Sequence, residues 1–449
     1  MTPTIAVMRV AMGGGLAKDA LEPPIFAILG ALTPAGAARL AFHDERRRPL
    51  PEPIGADWVC LSVETFAAAH AYDLADSYRA RGLKVGLGGI HPTILPDEAA
   101  AHADTVFVGD AEGVWPQFLA DVAAGQTRDR YVADRNAAFV DTSRQPPLTG
   151  YPPLGVVQLS RGCRYACDFC SIKTFYPGQV RCKDIETAVA DLRGNRRRHI
   201  FIADDNLFAD RAWARELFAA MAPLKKKWAC QVSLDIAQDD AMLALMRRAG
   251  CFLVLIGFES LRQDTLKAMR KRANDAADYR RAIEAIYAAG LMIYATFVIG
   301  YDTDTAATAD EILAFAESHS FAVSNFNPLS VYPGTPLYRR LLDAGRLSRP
   351  RWWLDRDYRY GQLAHVPAGA TAAEIEDGCR TARYSFYSPR SILRRLFAGP
   401  NWRSPLVFLA INVISAREIR RKQGALLRED GAGRRGRSPG IPERAGRPR

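Results

Sequence analysis

The sequence predicts an α/β protein with an N-terminal Rossmann-like doubly wound domain, then an incomplete (β/α)6 TIM-like barrel, then a helical C-terminal region. Three observations carry that expectation. At 449 residues the chain is too long for one ordinary core. Short apolar runs alternate with helical stretches in the first third, and again with greater regularity from residue 154, as parallel strands joined by helices do. Between the two series, residues 136–153 are polar, carry Pro146, Pro147, Pro152 and Pro153, and hold no period, which marks a linker.

The first domain is expected over residues 1–135, with strands at 4–10, 58–63, 84–87 and 105–108 and helices at 66–81 and 112–122. Open α/β sheets bind ligands beyond the carboxyl ends of their strands. Ser62 and Thr65 stand there after one strand, and Gly88-Gly89-Ile90-His91-Pro92-Thr93 after the next. The bland reading of the glycines is a tight turn. No G-x-G-x-x-G occurs, so a nicotinamide or flavin dinucleotide is not indicated.

The barrel is expected over residues 154–340, with strands at 156–160, 199–203, 228–232, 252–256, 291–299 and 325–331, each followed by a helical stretch. Right-handed crossovers curl such a series into a barrel, and six units leave it open. Residues 341–420 read as a helical region rich in Arg and aromatics, including Trp352, Trp353, Tyr358 and Tyr360. Residues 421–449 turn to Gly, Arg and Pro, a composition expected to stay disordered.

Hydrophobic residues make up 48% of the chain and charged residues 24%, the balance of a globular protein. The formal charge is +11, but residues 417–449 carry eleven Arg or Lys against four Asp or Glu, so the body is only mildly basic. Its basic runs, Arg46 to Arg48, Arg196 to Arg198 and Lys225 to Lys227, are short and scattered, and no nucleic-acid partner is expected. The N-terminus shows no export signal, so a cytoplasmic location is expected. The apolar stretch 405–416 falls short of the roughly 20 residues that span a bilayer. It reads as a packed helix, with an interfacial helix giving peripheral membrane contact as the alternative.

The decisive stretch is Ser160-Arg161-Gly162-Cys163-Arg164-Tyr165-Ala166-Cys167-Asp168-Phe169-Cys170. Of eight cysteines, five (60, 182, 230, 251 and 379) are isolated in apolar settings and read as core. Cys163, Cys167 and Cys170, with gaps of three and two residues, can wrap one cubane and leave its fourth iron without a protein ligand. A structural zinc would take four ligands, and Cys182 is the only remote candidate for a fourth. An electron-transfer cluster would also take four cysteines. The loop follows the first barrel strand, at the end where such barrels gather their catalytic residues.

This stretch resembles the Cys-x-x-x-Cys-x-aromatic-Cys signature of the radical S-adenosylmethionine superfamily. The resemblance implies a 4Fe-4S cluster on the three cysteines, whose open iron is chelated by the methionyl amine and carboxylate of S-adenosylmethionine. It implies that Phe169 lies against the adenine, and that one-electron reduction releases a 5′-deoxyadenosyl radical. Asp204, Asp205 and Asn206 resemble the family's second-strand motif, which meets the amine; a helix N-cap is the bland alternative. Gly257-Phe258-Glu259-Ser260 resembles the segment whose Glu259 contacts the ribose or methionyl end. Ile299 and Gly300 resemble the adenine-contacting turn, and Tyr332 to Tyr338 the loop after the sixth strand.

The first third resembles the cobalamin-binding domain of one subgroup, which implies cobalamin contacts from Ser62, Thr65, Gly88, Gly89 and His91. It departs from that pattern in having no Asp-x-His-x-x-Gly, whose histidine would be the lower ligand. The function implied is a cobalamin-dependent C-methyltransferase acting on an unactivated carbon of a lipid, pigment or other secondary metabolite, with an electron donor such as flavodoxin or ferredoxin. The alternative is a radical cyclase, oxidase or carbon-skeleton enzyme without methyl transfer. A methylthio-transferring tRNA-modifying enzyme is a third reading, opposed by the lack of further cluster cysteines in the first domain, where only Cys60 occurs.

Overall fold

The computed structural model describes residues 2–11, 20–51, 54–178 and 180–422. The first sheet has strands β1 (Thr4–Arg9), β2 (Arg39–Asp44), β3 (Trp58–Ser62), β4 (Lys84–Gly88), β5 (Thr105–Val108) and β6 (Arg130–Val132). All pairings are parallel, in the order β2-β1-β3-β4-β5-β6. The chain leaves β1 to one side for β2 and returns to the other side for β3, so the topological switch point lies between β1 and β3. The central strands are buried on both faces and read as continuous apolar runs, as in IAVM of β1 and WVCL of β3. The edge strands β2 and β6 were not expected. One carries charges at both ends and the other is three residues long within a polar stretch, so neither shows a strand's pattern.

The second sheet is built from β7 (Leu154–Val157), β10 (His199–Ile202), β11 (Lys227–Gln231), β12 (Cys251–Glu259), β13 (Met292–Ile299) and β14 (Val323–Pro328). Its order, β14-β13-β12-β11-β10-β7, is sequential and wholly parallel, and its outer strands β7 and β14 do not pair, so the barrel is open. A small antiparallel pair, β8 (Ser160–Arg161) with β9 (Arg181–Cys182), brackets the cysteine loop.

The first barrel strand ends at Val157, three residues before the expected end at 160. Asp204 causes this: its carboxylate accepts the Leu159 N–H at 2.7 Å and the Ser160 hydroxyl at 2.6 Å, pulling the chain out of the sheet toward the loop. Along β13, Ile293, Ala295, Phe297 and Ile299 are buried in the main core. The alternate residues Tyr294, Thr296 and Val298 keep accessible surface on the other side. Burying such aliphatic side chains contributes roughly 1.5–3 kcal/mol each.

Two further expectations are corrected. The helix expected over 66–81 is a 3-10 turn, Thr65–Ala67, followed by a helix at Ala68–Ala80. The stretch 344–371 is mostly irregular rather than helical, with one 3-10 turn at Trp352–Leu354, before helices at Ala372–Phe386, Pro389–Leu396 and Pro405–Arg421. Pro350, Gly361, Pro367 and Gly369 break the pattern there. Of the stretch expected to be disordered, residues 423–449 lie outside the described residues, while Arg421 still belongs to the last helix.

Candidate active site

The cysteine loop leaves β8 through Gly162, whose φ of 88° suits glycine. Its N–H donates to Asp205 Oδ2 at 2.7 Å. Asp168, wholly buried, fixes the far half of the loop. Tyr301 Oη donates to its Oδ1 at 2.6 Å and Arg340 Nη1 to its Oδ2 at 2.8 Å, while its own N–H donates to the Met269 carbonyl at 3.0 Å. Cys167 is buried, and Cys163 and Cys170 are partly exposed. Burial pushes the Cys167 thiol up to about 11 and raises Cys170 as well, so a metal must displace their protons.

Among the described residues, no three His, Cys, Asp or Glu side chains converge closely enough to share one ion. A cubane asks for something else: each thiolate meets its own iron, so the sulfurs stand apart around it. The donor set fits that group. Lys271, only partly exposed, adds a cation beside Cys167 and Cys170. Burial works to lower its pKa, yet Glu259 and the two thiols hold it above the ordinary ammonium value.

The three residues after β10 divide their work. Asp204 is buried, and its oxygens are taken by Leu159 and Ser160; burial pushes its carboxyl up to about 7 against those hydrogen bonds. Asp205 holds Gly162, and burial raises it too. Asn206 turns its amide toward Cys163 Sγ at 3.6 Å and Ser233 Oγ at 3.1 Å.

Glu259 ends β12 with a left-handed φ of 65°, at a shift in register against β13, and receives Lys271 Nζ at 2.7 Å. A non-glycine residue held there signals a conformation kept for a purpose. Phe169 meets Tyr301 edge to face, with centroids 6.5 Å apart. Ile299 is buried in the core, and the Gly300 N–H is taken by Asp304 Oδ2 at 2.8 Å.

The first sheet faces the barrel across a cavity of 610 Å3, whose lining reaches Arg161 but none of the three loop cysteines. Its walls include Arg9, Ser62, Glu64, Gly88 and Gly89 from the carboxyl ends of β1, β3 and β4, and Gln158, Arg161 and Tyr176 from the barrel side. Thr65 and His91 lie off it. His91 is fully buried, with Nε2 at 3.0 Å from Tyr72 Oη and 3.1 Å from Glu98 Oε1. Gly89 is needed by the backbone: with φ at 106°, an added Cβ would stand 2.8 Å from the Val63 carbonyl oxygen.

Three sets of residues escaped the sequence reading. Arg161 is buried against Glu112 and Asp110, and Tyr176 Oη donates to Asp110 at 2.9 Å, which straps the cysteine loop to the first sheet. Burial disfavours the Arg161 charge, but Glu112 and Asp110 more than restore it. Asp168 with Arg340, and Glu259 with Lys271, are the others. The sequence marks Glu259 as a cofactor contact and Asp168 lies inside the loop, but in each set the partner is supplied by the fold, so the pairing left no signal in the sequence. Cys182, expected in the core, is partly exposed on β9.

Residues 157–316 match the radical SAM superfamily. The bacteriochlorophyllide d C-12(1)-methyltransferase of Chlorobaculum tepidum is 28% identical over 402 residues, covering 86% of this chain and 87% of the relative. The hopanoid C-2 methylase of Rhodopseudomonas palustris is 29% identical over 286 residues, covering 59% of this chain and 53% of the relative. In fold, the chain is similar to the radical S-adenosylmethionine methyltransferase TsrM from Kitasatospora setae, at a TM-score of 0.62 and 14% identity, covering 77% of this chain and 75% of that one. A 4Fe-4S cluster and S-adenosylmethionine are the cofactors that the superfamily match implies. Residues 157–316, which run across most of the open parallel barrel and carry three cysteines on one loop at its mouth, are therefore a radical SAM domain.

Proposed function

We propose that this radical SAM enzyme is a cobalamin-dependent C-methyltransferase acting on an unactivated carbon of a pigment, lipid or related secondary metabolite. The observation that carries the reading is the 610 Å3 cavity, which opens at the switch point of the first sheet and reaches the strap behind the cysteine loop. A corrinoid fits the residues there. Gly88 and Gly89 keep the sheet end low, and none of the described residues lining the cavity is a histidine, so a corrinoid would sit without an imidazole from its walls. The relatives' substrates, a chlorophyll pigment and a hopanoid by name, support the substrate class.

In this reading Cys163, Cys167 and Cys170 hold the cluster. Asp205, Asn206 and Glu259 face the methionyl and ribose end of S-adenosylmethionine, and Phe169 with the Ile299–Gly300 turn flanks its adenine. When bound, the cluster supplies an electron and the corrinoid a methyl group. The chain's own part is to bind, orient and exclude water. Asp204 sets the path of the loop, Asn206 directs an N–H toward one thiol, and Lys271 balances charge on the other two. An external reductase of the flavodoxin or ferredoxin type would deliver the electron.

The test is anaerobic turnover with methyl-labelled S-adenosylmethionine, using protein prepared from cobalamin-fed cells and a panel of chlorophyllide and hopanoid substrates. Label in the product supports methyl transfer. Release of 5′-deoxyadenosine with altered but unlabelled product would instead favour radical cyclisation or oxidation.

A further inference from the structure

The last three helices show an outer surface that the enzyme's chemistry does not use. Leu393, Phe397, Trp402 and Leu406 are 58%, 62%, 54% and 80% exposed, and Val413 and Ile414 continue the series along the last helix. Leu393 and Phe397 are four apart, and the rings of Phe397 and Trp402 lie 5.0 Å apart between centroids, tilted at 33°. On the last helix, 406, 410, 413, 414 and 417 share one face by helical spacing. The opposite side of this unit is firmly seated. Arg395, fully buried, donates to the carbonyls of Phe321 and Phe386 at 2.8 Å each and to Asn412 Oδ1, and its guanidinium lies 3.7 Å from the Phe386 ring centre. Asn412 Nδ2 in turn donates to the Ala322 carbonyl at 3.0 Å. The outward apolar side chains are therefore not a core face turned the wrong way.

The stretch of chain that builds this face carries charge of one sign. From residue 378 to 417 the sequence holds seven arginines and no Asp or Glu. Arg390, Arg403 and Arg417 are exposed, and Arg394 reaches Glu317. The residues that follow, 423–449, add seven arginines against three acids. An apolar ridge rimmed by cations fits a surface with buried acyl chains and an anionic outer layer. No helix among the described residues is long and apolar enough to cross a membrane. We infer that the face carrying Leu393, Phe397, Trp402 and Leu406 docks on an anionic lipid bilayer in the interfacial plane. A substrate dissolved in a membrane would then be reached from its surface.

The test is cosedimentation of the full chain with vesicles of phosphatidylcholine alone, and of phosphatidylcholine with one third phosphatidylglycerol. Neither a cluster nor turnover is required, so failure here leaves the proposed chemistry untouched. Binding to the anionic vesicles that weakens with added salt is expected. Leu406→Glu should reduce partitioning at least tenfold, and Arg390→Gln about fivefold. Val366→Glu, a change at an exposed apolar residue elsewhere, should leave it unchanged. Circular dichroism melting checks that each variant is folded. Three results would overturn the inference: wild-type protein that stays in the supernatant with both vesicle types, anionic binding indifferent to Leu406→Glu, or a dimer in size-exclusion chromatography that this change dissociates while vesicles are ignored.

Discussion

The guanidinium of Arg161 grips both carboxylate oxygens of Glu112 at 2.9 Å each, tying the residue two before Cys163 to the turn that follows β5 of the first sheet. Both side chains are almost wholly buried. Such a pair specifies geometry more than it adds stability, because removing two charges from water is costly. Removing one partner is worse. Glu112→Gln should destabilise by about 3 kcal/mol, at the lower end for a broken buried pair because Asp110 still faces the guanidinium. The double change Arg161→Met with Glu112→Leu should regain much of that loss, while the loop loses its fixed distance from the first sheet. Urea denaturation of the three variants measures this, and equal destabilisation by the single and double changes would contradict it.

Asp168 should matter to the cluster without touching it. Its carboxylate is held by Tyr301 and Arg340 from two separate barrel segments. Tyr301→Phe leaves one buried oxygen short of a donor and should cost about 1–3 kcal/mol. Asp168→Ala should also lower iron and sulfide uptake on anaerobic reconstitution, with all three cysteines still present. Unchanged iron content in Asp168→Ala would show that the loop is ordered without it.

The contact of Glu98 in the first domain with Arg351 and Trp353 in the segment after the barrel has a pH signature. Burial alone would raise Glu98, but hydrogen bonds from His91, Arg351 and Trp353 hold its carboxyl at about 2, against an ordinary value of 4.5. A carboxylate with a lowered folded-state pKa contributes its stability above the unfolded value and loses it as pH falls toward the folded one. Wild-type stability should therefore drop between pH 4.5 and about 2 more steeply than that of Glu98→Gln. Parallel pH profiles of the two in thermal denaturation would contradict this assignment.

Gly89→Ala tests the turn at the cavity's edge. With φ at 106° and Val63 backbone atoms within 2.9 Å of an added Cβ, the change combines torsional strain with overlap against main chain. A loss of about 1–3 kcal/mol from strain alone is expected. Gly125→Ala, also at positive φ but with open space around it, should cost less. Equal losses in denaturation would mean that the Val63 contact is unimportant.

Much of this architecture was legible because the central strands are buried on both sides, so IAVM, WVCL and LVLI announce themselves as short apolar runs. The edges were not. RLAFHD in β2 carries its charges into solvent, and β6 is too short to show a period. The cysteine spacing pointed to its chemistry directly, whereas the residues that hold the loop could not be read. Arg161 with Glu112, Asp168 with Arg340, and Glu259 with Lys271 are pairings made by topology. His91 illustrates the converse: it looks like a ligand in a glycine-rich turn, but the fold spends it on Tyr72 and Glu98.

If three thiolates hold one cluster whose remaining iron takes S-adenosylmethionine, anaerobic reconstitution followed by electron paramagnetic resonance of the reduced protein should show it. A single reduced four-iron signal is expected, perturbed by S-adenosylmethionine and lost in Cys167→Ala. A full cluster in that variant, or a wild-type signal that S-adenosylmethionine leaves unaltered, would contradict it.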